Sequence, residues 1–166
     1  MTISYVSKGV TYNDEVDFEI IDKNHDILQY EDPSYNNNTG KAGLTFRGLL
    51  SAKRYMNEGT YPPVAPGGIS DVNTSNNGGW ERSELRKWLN EDFIAYLPNE
   101  LSSNIKTVKK ISDNGYSDPA GLLTTSYDKI FIASLEELNL SDKNYTDLGQ
   151  GTPYTLITDD SSRKIN

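Results

Sequence analysis

The sequence predicts an α+β domain in which a pair of helices covers a small antiparallel sheet. Residues 16–20 alternate apolar and acidic side chains, which is the two-residue period of a half-buried strand. Four apolar residues recur at the 3.6-residue period of an amphipathic helix: Leu85, Trp88, Leu89 and Phe93. Because both periods occur in a chain of 166 residues, we expect one domain that spans residues 1–166.

The predicted sheet begins with a hairpin. Residues 22–26 are polar and rich in Asn and Asp, which favour a turn. Residues 27–30 are then expected to form the returning strand. Two further candidate strands lie in the C-terminal half: residues 130–133, an apolar run typical of a buried strand, and residues 154–157.

Two helices are expected to follow one another after residue 82. Ser83 is the predicted N-cap of the first helix, because its hydroxyl can accept a hydrogen bond from a free N–H of the first turn. Pro98 fits the first turn of the second helix, whose apolar positions continue to Val108. A weaker helical pattern begins at Phe46 and ends before Gly59.

Two other segments complete the predicted architecture. Residues 134–138 fit a capped helical turn, with Ser134 as the cap and Glu137 as the third residue. Residues 60–79 contain three prolines and four glycines in a polar setting, which predicts a long ordered loop. A linker between two lobes is the alternative interpretation of this loop.

Composition excludes several classes of function. The net charge of −8 and the isoelectric point of about 4.6 oppose binding to phosphate backbones and to anionic membranes, so neither nucleic acid nor membrane is an expected partner. The chain has no cysteine, which excludes disulfides, thiolate nucleophiles and zinc–thiolate sites. The first residues lack the basic and apolar regions of a signal peptide, so none is expected.

Few residues fit a catalytic site. His25 is the only histidine, and its place in the predicted turn indicates a structural or solvated residue rather than a member of a triad. The chain contains neither a Gly-x-Ser-x-Gly elbow nor a phosphate-binding loop with Gly-Lys-Ser/Thr. We therefore predict no catalytic residue and no cofactor, and we do not expect an enzyme.

Charged clusters are predicted to lie on the surface. Adjacent acids do not converge on a shared substrate, and three such pairs are expected to be solvated: Glu91 with Asp92, Glu136 with Glu137, and Asp159 with Asp160. The densest basic cluster is predicted to be a solvated helix end: Lys106, Lys109 and Lys110.

Residues 71–77 resemble the start of a calcium-binding loop. Oxygen-bearing side chains occupy the first, third and fifth places. The sixth place holds Asn76 instead of glycine, and the twelfth holds Arg82 instead of a bidentate glutamate. An asparagine-rich turn is therefore the preferred interpretation, and no metal ligand is predicted.

Residues 78–90 form the most distinctive stretch, Gly-Gly-Trp-Glu-Arg-Ser-Glu-Leu-Arg-Lys-Trp-Leu-Asn. Trp80 and Trp88 are expected to pack the helix against the sheet rather than to bind sugar. Tyr61, in the predicted long loop, is the better candidate for an exposed contact. Ligand-binding residues stay unassigned.

The polar residues of this stretch are also expected to be architectural. Arg86 is predicted to pair with a nearby acid, either Glu84 or Asp128, and Asn90 is predicted to close a helix end.

The stretch resembles the signature Gly-Gly-Trp-x-x-Ser-x-Leu-Arg-x-Trp-Leu-Asn of a domain family of unknown function. That family is found in surface proteins of gut Firmicutes and in their phages. The resemblance continues in the same order along the chain, through residues 18–23, 53–57, 97–110, 124–134, 149–154 and 162–163.

The resemblance implies a distant likeness to C-type-lectin-like folds, in an incomplete form. The family's Trp-Trp-Leu-Arg-Ser-Pro and Gly-Val-Arg-Pro-Ala blocks do not occur before Asn166. Without closing strands, sheet edges near residues 130–133 and 154–157 are expected to invite strand addition from a partner. The alternative is a shortened variant of the domain whose own loops cover these edges.

The resemblance further implies a non-enzymatic structural or adhesion module. Its expected location is a phage virion, in the tail, baseplate or capsid decoration, or a bacterial cell surface. Expected partners are other virion or surface structural proteins, in a homo-oligomer or a docked assembly, together with a host-surface glycan. The alternative is a fragment of a carbohydrate-active or other enzyme.

Overall fold

The computed structural model describes residues 1–29, 40–57, 78–114, 122–140 and 149–164. Their strands are β1 (Thr2–Ser7), β2 (Val10–Glu15), β3 (Glu19–Lys23), β4 (Leu44–Arg47), β5 (Val108–Asp113) and β6 (Leu123–Asp128). The helices are α1 (Gly79–Arg82), α2 (Glu84–Lys87), a π-helical turn (Trp88–Asp92), a 3-10 turn (Phe93–Tyr96) and α3 (Asn99–Ser102). The predicted α+β class is confirmed, with the described strands in three two-stranded antiparallel sheets rather than one.

The β1–β2 hairpin supplies one wall of the main core. Its tight turn uses Lys8 and Gly9, both with positive φ, which matches the twist of a two-residue hairpin connection. Strand β1 alternates exposed and buried residues, so that Ile3, Tyr5 and Ser7 face inward. The hairpin thus presents a narrow apolar face to the rest of the chain.

The helical run after residue 83 covers that face. The predicted cap is confirmed, since Ser83 Oγ accepts a hydrogen bond from the backbone N–H of Arg86. Trp88, Leu89 and Phe93 are buried, as their spacing predicts. The Tyr5 ring packs edge-on against Phe93 with 5.2 Å between ring centroids, an arrangement that aromatic pairs favour.

The early strand predicted at residues 16–20 instead spans residues 19–23, so it includes part of the predicted turn, and its predicted hairpin partner is wrong. Strand β3 pairs with β4, so that Glu19 lies opposite Arg47 and Ile20 opposite Phe46. Residues 27–29 make only isolated bridges, to Lys41 and to Val108. The helix predicted from Phe46 is likewise wrong, because that residue continues the alternation of β4.

The second predicted helix is correct only at its start. Helix α3 follows Pro98 but ends at Ser102, and β5 begins at Val108. The apolar positions that continue the helical spacing are the β-branched residues Ile105 and Val108, which favour a strand.

The two candidate C-terminal strands are not formed. Residues 130–133 have no regular structure, and residues 154–157 form a turn whose Leu156 N–H donates to Ile21 O over 3.2 Å. The capped turn at residues 134–138 is confirmed: Ser134 Oγ accepts from the Glu137 N–H, and a Glu137 carboxylate oxygen accepts from the Ser134 N–H.

A second, smaller core joins distant parts of the chain. Ile21 of β3 packs with Tyr154 and Ile157, both about 1% exposed. No helix among the described residues is long and apolar enough to span a membrane. The predicted loop 60–79, including Tyr61 and the calcium-like residues 71–77, lies outside the described residues except for Gly78 and Gly79.

Gly79 is expected to tolerate no side chain. Its φ is +59°, and a Cβ there would lie 1.9 Å from the carbonyl oxygen of Asp113. We expect Gly79→Ala to lower the free energy of unfolding by about 2–4 kcal/mol, measured by urea denaturation. Gly9→Ala is the matched control, since Gly9 also has positive φ but no atom within 4 Å of a built Cβ. Equal losses in the two variants would contradict this account of the Gly-Gly-Trp sequence.

Candidate functional site

Asp128 organises the residues of the distinctive 78–90 stretch. Its side chain is fully buried at the end of β6. One carboxylate oxygen accepts from Arg86 Nε at 2.6 Å, and the other from Trp80 Nε1 at 2.9 Å and Ser126 Oγ at 2.6 Å. Asp128 is thus the partner of Arg86, one of the two acids predicted for it. The carboxylate is satisfied by three donors of the protein itself.

The remaining motif residues also hold the fold together. Trp80 and Trp88 are both about 7% exposed within the main core, as predicted. Asn90 does not close the helix, since it lies inside the π-turn. Its Nδ2 donates to Ile130 O at 2.8 Å, and its Oδ1 accepts from the Lys129 N–H at 2.8 Å. Asn90 therefore makes hydrogen bonds to the backbone of the segment after β6, as a neighbouring strand would. These bonds hold that segment against the helical run.

Lys110 lies in the interior, contrary to its predicted place at a solvated helix end. It is about 4% exposed, because its position in β5 directs it inward. Its Nζ donates to Asp26 Oδ1 at 3.1 Å, to Tyr154 OH at 3.2 Å and to a carboxylate oxygen of Glu137. A buried ammonium group needs such partners, because it has lost its hydration.

The acid pair Glu136 and Glu137 is buried as well, so its predicted exposure is wrong. Glu137 pairs with Lys110, whereas Glu136 accepts from the backbone N–H groups of Gly149 and Gln150. The other two acid pairs are exposed, as expected: Glu91 with Asp92, and Asp159 with Asp160.

His25 borders this buried charge cluster, which we define as Asp26, Lys110, Glu137 and Tyr154. The His25 ring lies 4.4 Å from the Tyr154 ring, and its Nε2 lies 3.0 Å from Thr152 O. Its Nδ1 is 3.6 Å from Asp26 Oδ1. Nε2 also lies 3.0 Å from Thr152 Oγ1, and when the ring is protonated its positive charge lies beside Asp26.

The pKa directions within the cluster follow from these contacts. Interaction with Asp26 raises the pKa of His25, although burial opposes the change. Burial also opposes ionisation of Asp26, yet His25 and Lys110 together hold its pKa well below the ordinary value. Burial and the neighbouring carboxylates raise the pKa of Tyr154, so its hydroxyl stays protonated. The cluster therefore pairs the Lys110 ammonium group with two carboxylates, and protonation of His25 adds a second positive charge beside them.

Two open grooves reach the described surface. The first, of about 560 Å³, lies between the β1–β2 hairpin and the π and 3-10 turns. The second, of about 500 Å³, is more apolar and runs along β5 and residues 132–135, with Lys110 and Glu137 at its lining. No group of three or more metal-ligating side chains occurs within the described residues.

The stabilising contribution of His25 is expected to disappear as the pH rises. Its folded pKa lies above the unfolded value of about 6.5, so the contribution is complete below that value and is lost as the pH rises through the folded pKa. We expect the unfolding free energy of the native protein to fall with increasing pH in this window relative to His25→Gln. Since His25 is the only histidine, urea denaturation at several pH values assigns the difference to it. Parallel pH profiles of the two proteins would refute this role.

Comparison with known families accounts for most of the chain. The model of a family described as Domain of unknown function (DUF6273) matches residues 51–166, which include the 78–90 stretch, Lys110, Asp128 and Glu137. No curated protein and no solved structure matches the chain. The match covers well over half of the 166 residues, and the chain therefore belongs to this family of a domain of unknown function.

Proposed function

We propose that this chain is a non-enzymatic structural and adhesion module of a phage virion, in its tail, baseplate or capsid decoration, or of a bacterial surface. The observation that carries the proposal is where the ionisable residues lie. Asp128 with Arg86, and Lys110 with Glu137, are bound to one another inside the fold. A catalytic acid, base or nucleophile must instead be directed at a substrate.

The exposed apolar surface supports a role in contact with other proteins. The outer face of the β3–β4 sheet carries three large exposed apolar side chains, Ile20, Leu44 and Phe46, and exposed Phe18 lies just before β3. The Phe18 and Phe46 rings pack edge-on with 6.1 Å between centroids, which makes the surface continuous. Contiguous apolar patches of this kind mark interaction sites.

A different structural protein of the same particle is the partner that fits this face. Two copies of a chain with a net charge of −8 repel each other more strongly than this chain and a less acidic protein do. This proposal replaces strand addition at residues 130–133 and 154–157, since those residues form no strand. The C-type-lectin-like relationship remains a prediction of the sequence.

The alternative of an enzyme fragment depends on the second groove. There Lys110 and Glu137 border open space, and a glutamate beside an ammonium group is a possible acid–base pair. Their mutual pairing and the further donation of Lys110 to Asp26 favour the structural role.

A hydrolase screen of the full chain tests the proposed function. We expect no turnover of glycoside, ester or peptide substrates. In a separate experiment on intact particles, we expect cross-linkers to join residues next to Phe46, on the β3–β4 surface, to another structural protein. Turnover that is lost in a folded Glu137→Gln variant but retained in Glu100→Gln would overturn the proposal in favour of the enzyme fragment. Glu100 is the control because it is exposed and lies outside both grooves.

A further inference from the structure

The first groove has the size of a small-molecule site. Its volume of about 560 Å³ falls within the range of roughly 300–1,000 Å³ that ligand pockets occupy. Val6 and Lys8 of the hairpin line one side, and Glu91, Asp92 and Tyr96 line the other. Both walls belong to regular structure, since the hairpin is paired along its length and the helical residues pack on it.

The floor of the groove is pre-organised. The Arg54 guanidinium stacks on the Trp88 ring at 4.5 Å from its centroid, and Nη1 donates to Ser7 Oγ at 3.0 Å. An aromatic face and a hydroxyl thus hold the guanidinium in one orientation. A fixed donor of this kind loses little side-chain entropy when a ligand binds.

The helical wall departs from regular α-helix along the groove. After Lys87 the chain widens into the π-turn Trp88–Asp92 and then tightens into the 3-10 turn Phe93–Tyr96. Residues 88–96 include neither proline nor glycine, so neither residue type causes the departure from regular helix. Single π-turns are rare and frequently lie at functional sites. Here the two turns place Glu91, Asp92 and Tyr96 along one groove wall.

The groove is lined by equal numbers of cationic and anionic side chains, and this balance restricts the class of ligand that it can bind. Lys8 and Arg54 are cationic, whereas Glu91 and Asp92 are anionic. Anions meet the two carboxylates, cations meet the two basic groups, and an apolar ligand would cover four charged side chains. Hydroxyl groups both donate and accept hydrogen bonds, so they satisfy both kinds of side chain. The Tyr96 ring, about 40% exposed, offers a flat apolar surface with a polar tip.

We propose that this groove binds a neutral saccharide, with Tyr96 packing on the sugar ring, Asp92 and Glu91 accepting from hydroxyls, and Arg54 and Lys8 donating to them. The assignment rests on the proposed adhesion function and specifies its ligand class and its residues. It is separate from the partner surface on β3–β4, which shares no residue with the groove.

Binding of the full chain to an array of neutral oligosaccharides of glucose, galactose, rhamnose and N-acetylhexosamines tests the proposal. We expect at least one array member to bind, and we expect Tyr96→Ala and Asp92→Asn each to weaken that binding by tenfold or more. Tyr127→Ala is the matched control, since Tyr127 is a similarly exposed tyrosine on β6 outside the groove. Its affinity should equal that of the native chain.

Other outcomes separate this inference from the proposed function. An absence of saccharide binding, or binding that both groove variants retain, overturns the saccharide site while leaving the structural role in the particle intact. Preference for sialylated or phosphorylated glycans also overturns it, because a groove with two cations and two carboxylates has no net charge that selects an anionic ligand over a neutral one. Hydrolysis of a bound saccharide overturns the non-enzymatic function itself.

Discussion

The burial of the Lys110 ammonium group constrains the rest of the structure. An ammonium group inside a protein is tolerated only with counter-charges and hydrogen-bond acceptors around it. Lys110 obtains them from Asp26, Glu137 and Tyr154, which lie 84, 27 and 44 residues away along the chain. Each of these segments must therefore be in place before the lysine is satisfied.

This requirement joins residues inside and outside the matched family region. Asp26 precedes residue 51, where the family match begins, and it also accepts from Thr45 Oγ1 at 2.6 Å. The main core also joins residues from before and after residue 51, since Tyr5 of β1 packs against Trp88 and Phe93. The first 50 residues thus complete both the charge cluster and the apolar core of the residues that follow. Asp128 has the corresponding role on the helical side, where it joins Trp80 and Arg86 to β6.

Local features of the fold were predictable from sequence, and long-range ones were not. The Ser83 cap, the Ser134–Glu137 box and the buried face of the helical run depend on residues three or four apart, and their physics is local. For Arg86, the sequence reduced the choice of partner to two acids, and one of them, Asp128, is the partner in the structure. The burial of Lys110 had no local signal, because Val108 and Ile111, three residues apart, fit the spacing of a helix, whereas the strand that forms turns Val108 and Lys110 to the same buried face. Charged residues are normally exposed, and they are buried only where folding places a partner of opposite charge beside them.

The central claim is that the buried charges of this chain stabilise its fold. The most direct test is urea denaturation of Lys110→Met beside Lys109→Met. The two lysines are neighbours on opposite faces of β5, and only Lys110 is buried. Removing Lys110 leaves Asp26 and Glu137 without their shared cation, so we predict a loss of about 3–5 kcal/mol in the free energy of unfolding, against a small change for Lys109→Met. Equal and small changes in the two variants would contradict the account.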